Sequence, residues 1–312
     1  MSLRAGGTTR GGGVGAGEGG GGAIAQDGRR LADFLTLTKP EITFNVVLTA
    51  LVGFLAAAHG SIHVMRLVHA LLGTALVAGA ASSLNQWAER AEDALMHRTV
   101  RRPLPAGRLT PAAGLAFGLA LGVAGTAYLA ASVGPLASGL AAATALSYLL
   151  LYTPLKRVTS LATVVGAVPG AMPPLIGWAA AKGALAPGAW VLFLILFFWQ
   201  MPHFLALAAL YRKDYARAGF RVLPVEDPED GGASTGRQAA LYALALTQVS
   251  LLPTPLGMAG PAYFFGALVL GGAFVYYGVR LAVEPASHAR ASDLFRYSLV
   301  YLPILCALMA LG

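Results

Sequence analysis

From residue 42 onward, long apolar runs alternate with short polar segments. An apolar run of roughly 17–25 residues is long enough to cross a bilayer as a helix. Nine runs qualify: about 42–58, 65–88, 111–131, 134–153, 160–180, 188–211, 239–257, 261–281 and 295–311. The pattern predicts an all-α, polytopic membrane bundle of nine transmembrane helices. The fifth run contains "GAVPGAMPPLIGW", Gly166–Trp178. Its prolines and glycines predict a broken helix, which membranes tolerate where protein or a water-filled cavity satisfies the freed backbone groups. Residues 1–28 are rich in glycine, without the apolar core of a signal peptide. They read as a disordered tail before a single membrane domain over 29–312.

Composition agrees with the pattern. Of 312 residues 56% are hydrophobic and 12% charged, and the mean hydropathy is +0.65. A soluble domain carries about 25% charged residues. The net charge of +8 therefore points to membrane orientation rather than to a nucleic-acid partner. All but two of the 22 Lys and Arg fall in segments on one side of the nine runs; Arg66 and Lys182 are the exceptions. The positive-inside rule then places the N-terminus in the cytoplasm and the C-terminus outside. All 14 Asp and Glu lie on the cytoplasmic side too, which that rule does not require. They suggest an active site at the cytoplasmic helix ends. Cys306 is a lone cysteine inside an apolar run and reads as a small core hydrophobe. His59, His63 and His69 lie in and around the outer loop that leads into the second run and read as interfacial polar residues.

The densest polar segment follows that second run. Asn85, Glu89 and Asp93 are spaced four apart and share a helix face, with Glu92 and Met96 near the same stripe. Oxygen donors of this kind suit Mg²⁺, which takes one or two protein carboxylates and fills its shell with water and substrate phosphate. A solvated helix end with i,i+4 ion pairs accounts for the spacing equally well. Arg98, Arg101, Arg102 and Arg108 come next, and arginine matches phosphate oxygens bidentately. Anchoring to anionic headgroups also explains arginines, but not acids on one face beside them. Tyr152 and Lys156 lie four apart after the fourth run, and Lys213 and Asp214 follow the sixth. The three loops can converge over one pocket. His203 lies inside the sixth run, eleven residues before Asp214 and on the same helix face. An ionisable residue there is a functional candidate; binding a polar or haem-like substrate, proton transfer and a helix–helix hydrogen bond are all open to it.

Five segments carry a resemblance: "LTKP" (37–40), "NQWAERAEDALMHRTVRRPLPAGR" (85–108), "YTPLKRVT" (152–159), "GAVPGAMPPLIGW" (166–178) and "WQMPHFLALAALYRKDYARAG" (199–219). The chain resembles the intramembrane aromatic prenyltransferases of the UbiA superfamily, and within them the haem-farnesylating branch. The resemblance implies a Mg²⁺-dependent enzyme of a bacterial inner membrane. Its substrates would be farnesyl diphosphate and haem B, joined at a haem vinyl group to give haem O for terminal oxidase assembly. A downstream haem-modifying enzyme would be a natural partner. It also implies roles. Asn85, Glu89 and Asp93 would form the first Asp-rich motif, and Asp214 the second; the usual second carboxylate of that motif is Ala218 here. Tyr152, Lys156, Arg98 and Arg102 would hold diphosphate, and His203 would face haem. A quinone-precursor acceptor is the main alternative. A secondary transporter and a non-catalytic haem carrier belong to other classes.

Overall fold

The computed structural model describes residues 29–58, 60–226 and 232–311. The glycine-rich segment 1–28 lies outside the described residues. Those described are helical, with no strand among them. Residues 29–37 form α1. Then come α2 (Pro40–Ala58), α3 (Val64–Ala88), the short α4 (Arg90–Asp93), α5 (Pro111–Ser132) and α6 (Pro135–Ser147). A π-helical turn, Tyr148–Tyr152, leads into α7 (Thr153–Leu155). There follow α8 (Ala162–Ala171), α9 (Pro173–Lys182), α10 (Pro187–Leu210), α11 (Arg212–Arg217), α12 (Leu223–Glu226), α13 (Ala233–Ser250), α14 (Pro261–Val283) and α15 (His288–Leu311).

Among the described residues, eight helical segments are long and apolar enough to cross a membrane, so the protein is an integral membrane protein. The ninth expected span, about 239–257, differs. Its helix is α13, which begins at Ala233 and ends at Ser250. The helix starts earlier because its first turns run through Thr235, Arg237 and Gln238, and residues 251–258 form turns. It lies between α10 and α14, which cover much of it. The last helix also starts earlier than its apolar run, at His288.

The fifth span is broken as the prolines predict. Met172 separates α8 from α9, and Pro173 and Pro174 open the new helix. Pro at the first helical positions forfeits no hydrogen bond. This pair is the centre of the bundle, with 67% of its apolar window buried. Here α2 and α9 pack backbone to backbone: a Cβ at Gly177 would collide with the Ala50 carbonyl, and one at Gly53 with Pro174. Without a hydrophobic drive between helices in lipid, such close packing is what holds them.

Candidate active site

The polar constellation sits where α3, α7 and α10 end and α2 begins. Glu89 interrupts α3 with φ −98° and ψ 14°, yet the i→i+4 ladder continues across it. Glu89 N–H donates to the Asn85 carbonyl at 2.9 Å, and Asp93 N–H to the Glu89 carbonyl at 2.8 Å. Asn85, Glu89 and Asp93 therefore stay in one row. All three are buried, at 1%, 4% and 1% exposure.

A basic side chain from a different segment meets each of them. Lys39 Nζ donates to Asn85 Oδ1 at 3.2 Å, Lys156 Nζ to Glu89 Oε1 at 2.6 Å, and Arg102 Nη1 to Asp93 Oδ2 at 2.7 Å. Asn85 Nδ2 donates to Thr153 Oγ1 at 3.2 Å, so the amide is held from both ends. Thr99 Oγ1 donates to the Asp93 carbonyl at 2.8 Å. Asp93 Oδ1 and Glu92 Oε2 are buried without a hydrogen-bond partner, a costly arrangement unless something is meant to bind there.

The π-helical turn places Tyr152 and Lys156. Such turns widen a helix by one residue and often mark functional sites. Lys156 Nζ lies 4.4 Å from the centre of the Tyr152 ring. Burial disfavours the Lys156 charge, but Tyr152 and Glu89 beside it outweigh burial and hold the ammonium above the ordinary lysine range. Lys39 shows the opposite balance. Burial, then repulsion from Arg102 and Lys156, lowers it to about 7, against the pull of Glu89 and Asp93. Its backbone lies at φ +47°, a left-handed conformation uncommon outside glycine and strained directly before a proline.

The third loop arrives through aromatic packing. Arg98 lies over the rings of Tyr211 and Tyr215, 5.1 and 5.7 Å from their centres. Met96, Ala218 and Phe220 bury one another beside Tyr215. Arg221 N–H donates to the Lys156 carbonyl at 2.7 Å. Asp214 comes to this side of the molecule, 3.3 Å from Arg217. Among the described residues, no three of His, Cys, Asp and Glu gather closely enough to chelate a metal by themselves. A site completed by substrate phosphate does not need such a cage.

Two arginines of the cluster have other work. Arg108 pairs with Asp33 of α1 at 2.9 Å, and Arg90 donates to the Trp87 carbonyl. Lys39, Thr153 and Thr99 take part in the site although no spacing rule singles them out. His203 is apart from it. Its Nδ1 lies 2.8 Å from Ser298 Oγ, and its ring stacks with Trp199 and Phe295. Ser298 Oγ donates its only proton to the Phe295 carbonyl at 2.6 Å. It must accept from His203, so Nδ1 carries the proton and Nε2 a free lone pair.

The model of the UbiA prenyltransferase family matches residues 46–300. The chain belongs to the UbiA prenyltransferase family. It is 48% identical over 290 residues to a protoheme IX farnesyltransferase of Solibacter usitatus, covering 90% of this chain and 98% of that one. A protoheme IX farnesyltransferase of Azotobacter vinelandii is 44% identical over 274 residues, covering 88% and 90%. Among solved structures, a digeranylgeranylglyceryl phosphate synthase superposes with a TM-score of 0.77 at 18% identity, covering 91% of this chain and 98% of that one. A UbiA homolog from Archaeoglobus fulgidus, bound to GPP and Mg²⁺, superposes at 0.58 and 15% identity, covering 89% and 99%. These likenesses place the polar row and its basic partners in the UbiA fold. Ala218 is the position that the resemblance sets against a carboxylate of the second motif. It is 7% exposed and packed in an apolar cluster with Met96 and Phe220.

Proposed function

We propose that the chain transfers the farnesyl group of farnesyl diphosphate to a vinyl group of haem B, with addition of water and release of diphosphate, giving haem O. One observation carries this reading: Asn85, Glu89 and Asp93 are interleaved with Lys39, Lys156 and Arg102. Oxygen donors alternating with cations fit a metal–diphosphate complex, which presents both charges at once. The orphaned Asp93 Oδ1 fits a Mg²⁺ ion in particular. Asn85, Glu89 and Asp93 would hold it, with Asp214 as a further carboxylate. When bound with substrate, Mg²⁺ neutralises part of the diphosphate charge.

The protein's own side chains do the rest. Lys156, Arg102 and Arg98 stabilise the negative charge that grows on the departing diphosphate, where preorganised donors contribute most. Tyr152 holds the Lys156 ammonium over its ring and helps aim it. The C–O bond of the donor breaks as diphosphate leaves, the terminal vinyl carbon attacks the allylic cation, and water adds to the inner vinyl carbon as a hydroxyl, its proton passing to solvent or to the departing diphosphate. Apolar helix faces exclude water from the cation until the acceptor reacts. His203 offers Nε2 to the haem, as an iron ligand or a hydrogen-bond acceptor.

The membrane is the bacterial inner membrane, with the site and the N-terminus on the cytoplasmic side. The lopsided basic residues support that orientation. An acceptor competition tests the reading. Membranes given farnesyl diphosphate and equal haem B and 4-hydroxybenzoate should yield haem O alone; prenylated benzoate would assign the chain to the quinone-precursor branch.

A further inference from the structure

The opposite end of the bundle has a different electrostatic character. The described loops there cover residues 60–63, 133–134, 183–186 and 251–260, and none contains Asp or Glu. Its two permanently charged side chains, Arg66 and Lys182, line one cavity of about 170 Å³ together with His63 and Ser61. Phe54 and Ala58 form the apolar part of its wall.

Arg66 is fixed within this wall. One guanidinium nitrogen, Nη2, donates to the Val133 carbonyl at 2.9 Å, while Nε is buried without any hydrogen-bond partner. Among the described residues, neither Arg66 nor Lys182 has an ion-pair partner. The start of α3 adds to the field. Its N-cap residue is His63, whose side chain makes no capping hydrogen bond, so the first-turn N–H groups keep their partial positive charge. Two cations, an uncapped helix start and a hydroxyl around one cavity, with no acid on that face among the described residues, make a site for an anion.

We infer that this cavity binds a phosphate group. Its volume is that of about six water molecules at roughly 30 Å³ each, room for a phosphate and a few waters. A fixed arginine with an exposed lysine is a common way to hold phosphate oxygens. The neighbouring side chains indicate the source. Ile62, Val64 and Met65 beside the cavity are 46%, 63% and 67% exposed, as suits residues at the boundary with lipid. The phosphodiester of an anionic phospholipid fits this place, its chains lying along the apolar flank. The site is separate from the farnesyl transfer machinery and does not depend on that assignment.

Native mass spectrometry of the purified full chain tests it, with phosphatidylglycerol, diacylglycerol and inorganic phosphate as separate probes. The variants are Lys182→Gln and Arg66→Gln/Lys182→Gln. The Lys182 side chain makes no hydrogen bond within the protein among the described residues, so its replacement leaves packing intact even if the double variant folds poorly. Phosphatidylglycerol should bind the wild type about fivefold more tightly than Lys182→Gln, the effect of one basic side chain near a membrane surface. Diacylglycerol, lacking phosphate, should not distinguish the proteins. If inorganic phosphate alone binds in a Lys182-dependent way, the site stands and its source is free phosphate, which overturns the lipid assignment. If neither phosphate probe distinguishes Lys182→Gln from wild type, the inference fails.

Discussion

Lys39 and Asn85 lie 46 positions apart and meet through a 3.2 Å hydrogen bond from Nζ to Oδ1. The strained backbone of Lys39 is thereby explained by a task. A left-handed turn between α1 and α2 sends the ammonium into the row of oxygen donors instead of out to the surface. Thr153 holds the other end of the same amide, so Asn85 is fixed before any substrate arrives. Lys39→Met should lower kcat/KM for farnesyl diphosphate by about 10²-fold, the usual scale for one lost hydrogen-bond donor. Lys39→Arg should recover part of it. Steady-state kinetics with a saturating acceptor checks both.

The lowered Lys39 also sets a pH dependence. The unfolded chain keeps this proton up to the ordinary lysine value of 10.5, whereas the folded protein releases it near 7. Between those values the unfolded state binds more protons, so stability rises with pH. Falling pH returns the penalty, fully in place below about 7. Thermal unfolding of the wild type should therefore shift upward from pH 7 to pH 9 relative to Lys39→Gln. Parallel curves for the two proteins would contradict the lowered value.

Lys156 and Glu89 are a buried pair, their side chains 15% and 6% exposed. Removing one partner leaves an uncompensated charge and costs about 3–5 kcal/mol. Lys156→Met should lower the unfolding temperature, and Lys156→Met/Glu89→Gln should regain much of it. Neither variant should make product. Recovery of stability without activity separates folding from chemistry here.

His203 is oriented by Ser298. Ser298→Ala removes the acceptor that fixes the tautomer, and haem B affinity should fall about tenfold, a typical loss when a partner of a ligating imidazole is removed. His203→Ala should lower it further. Absorbance titration of the haem reads both. Unchanged titrations would make His203 a packing residue between Trp199 and Phe295.

The row of donors was legible because its signal is local. Residues spaced by four stay in line even where α3 breaks at Glu89, since the hydrogen-bond ladder runs through the break. The broken fifth span was legible for a similar reason, its prolines being its own evidence. Lys39 was not. A single lysine before a membrane helix looks like any orienting cation, and its partner is remote in sequence. Arg108 misled in the other direction: adjacency to the arginine cluster suggested phosphate, while its geometry ties it to Asp33. The limits of α13 also escaped the apolar pattern, because helices shielded by neighbours need not be apolar along their whole length.

The central claim is that this constellation builds haem O. Its most direct test uses purified protein in lipid with haem B, farnesyl diphosphate and Mg²⁺, with each component omitted in turn and the products resolved by mass. The wild type should form a farnesylated, hydroxylated haem only in the complete mixture, and Asp93→Ala should form none. Haem O formation without Mg²⁺, or by Asp93→Ala at the wild-type rate, would contradict the account.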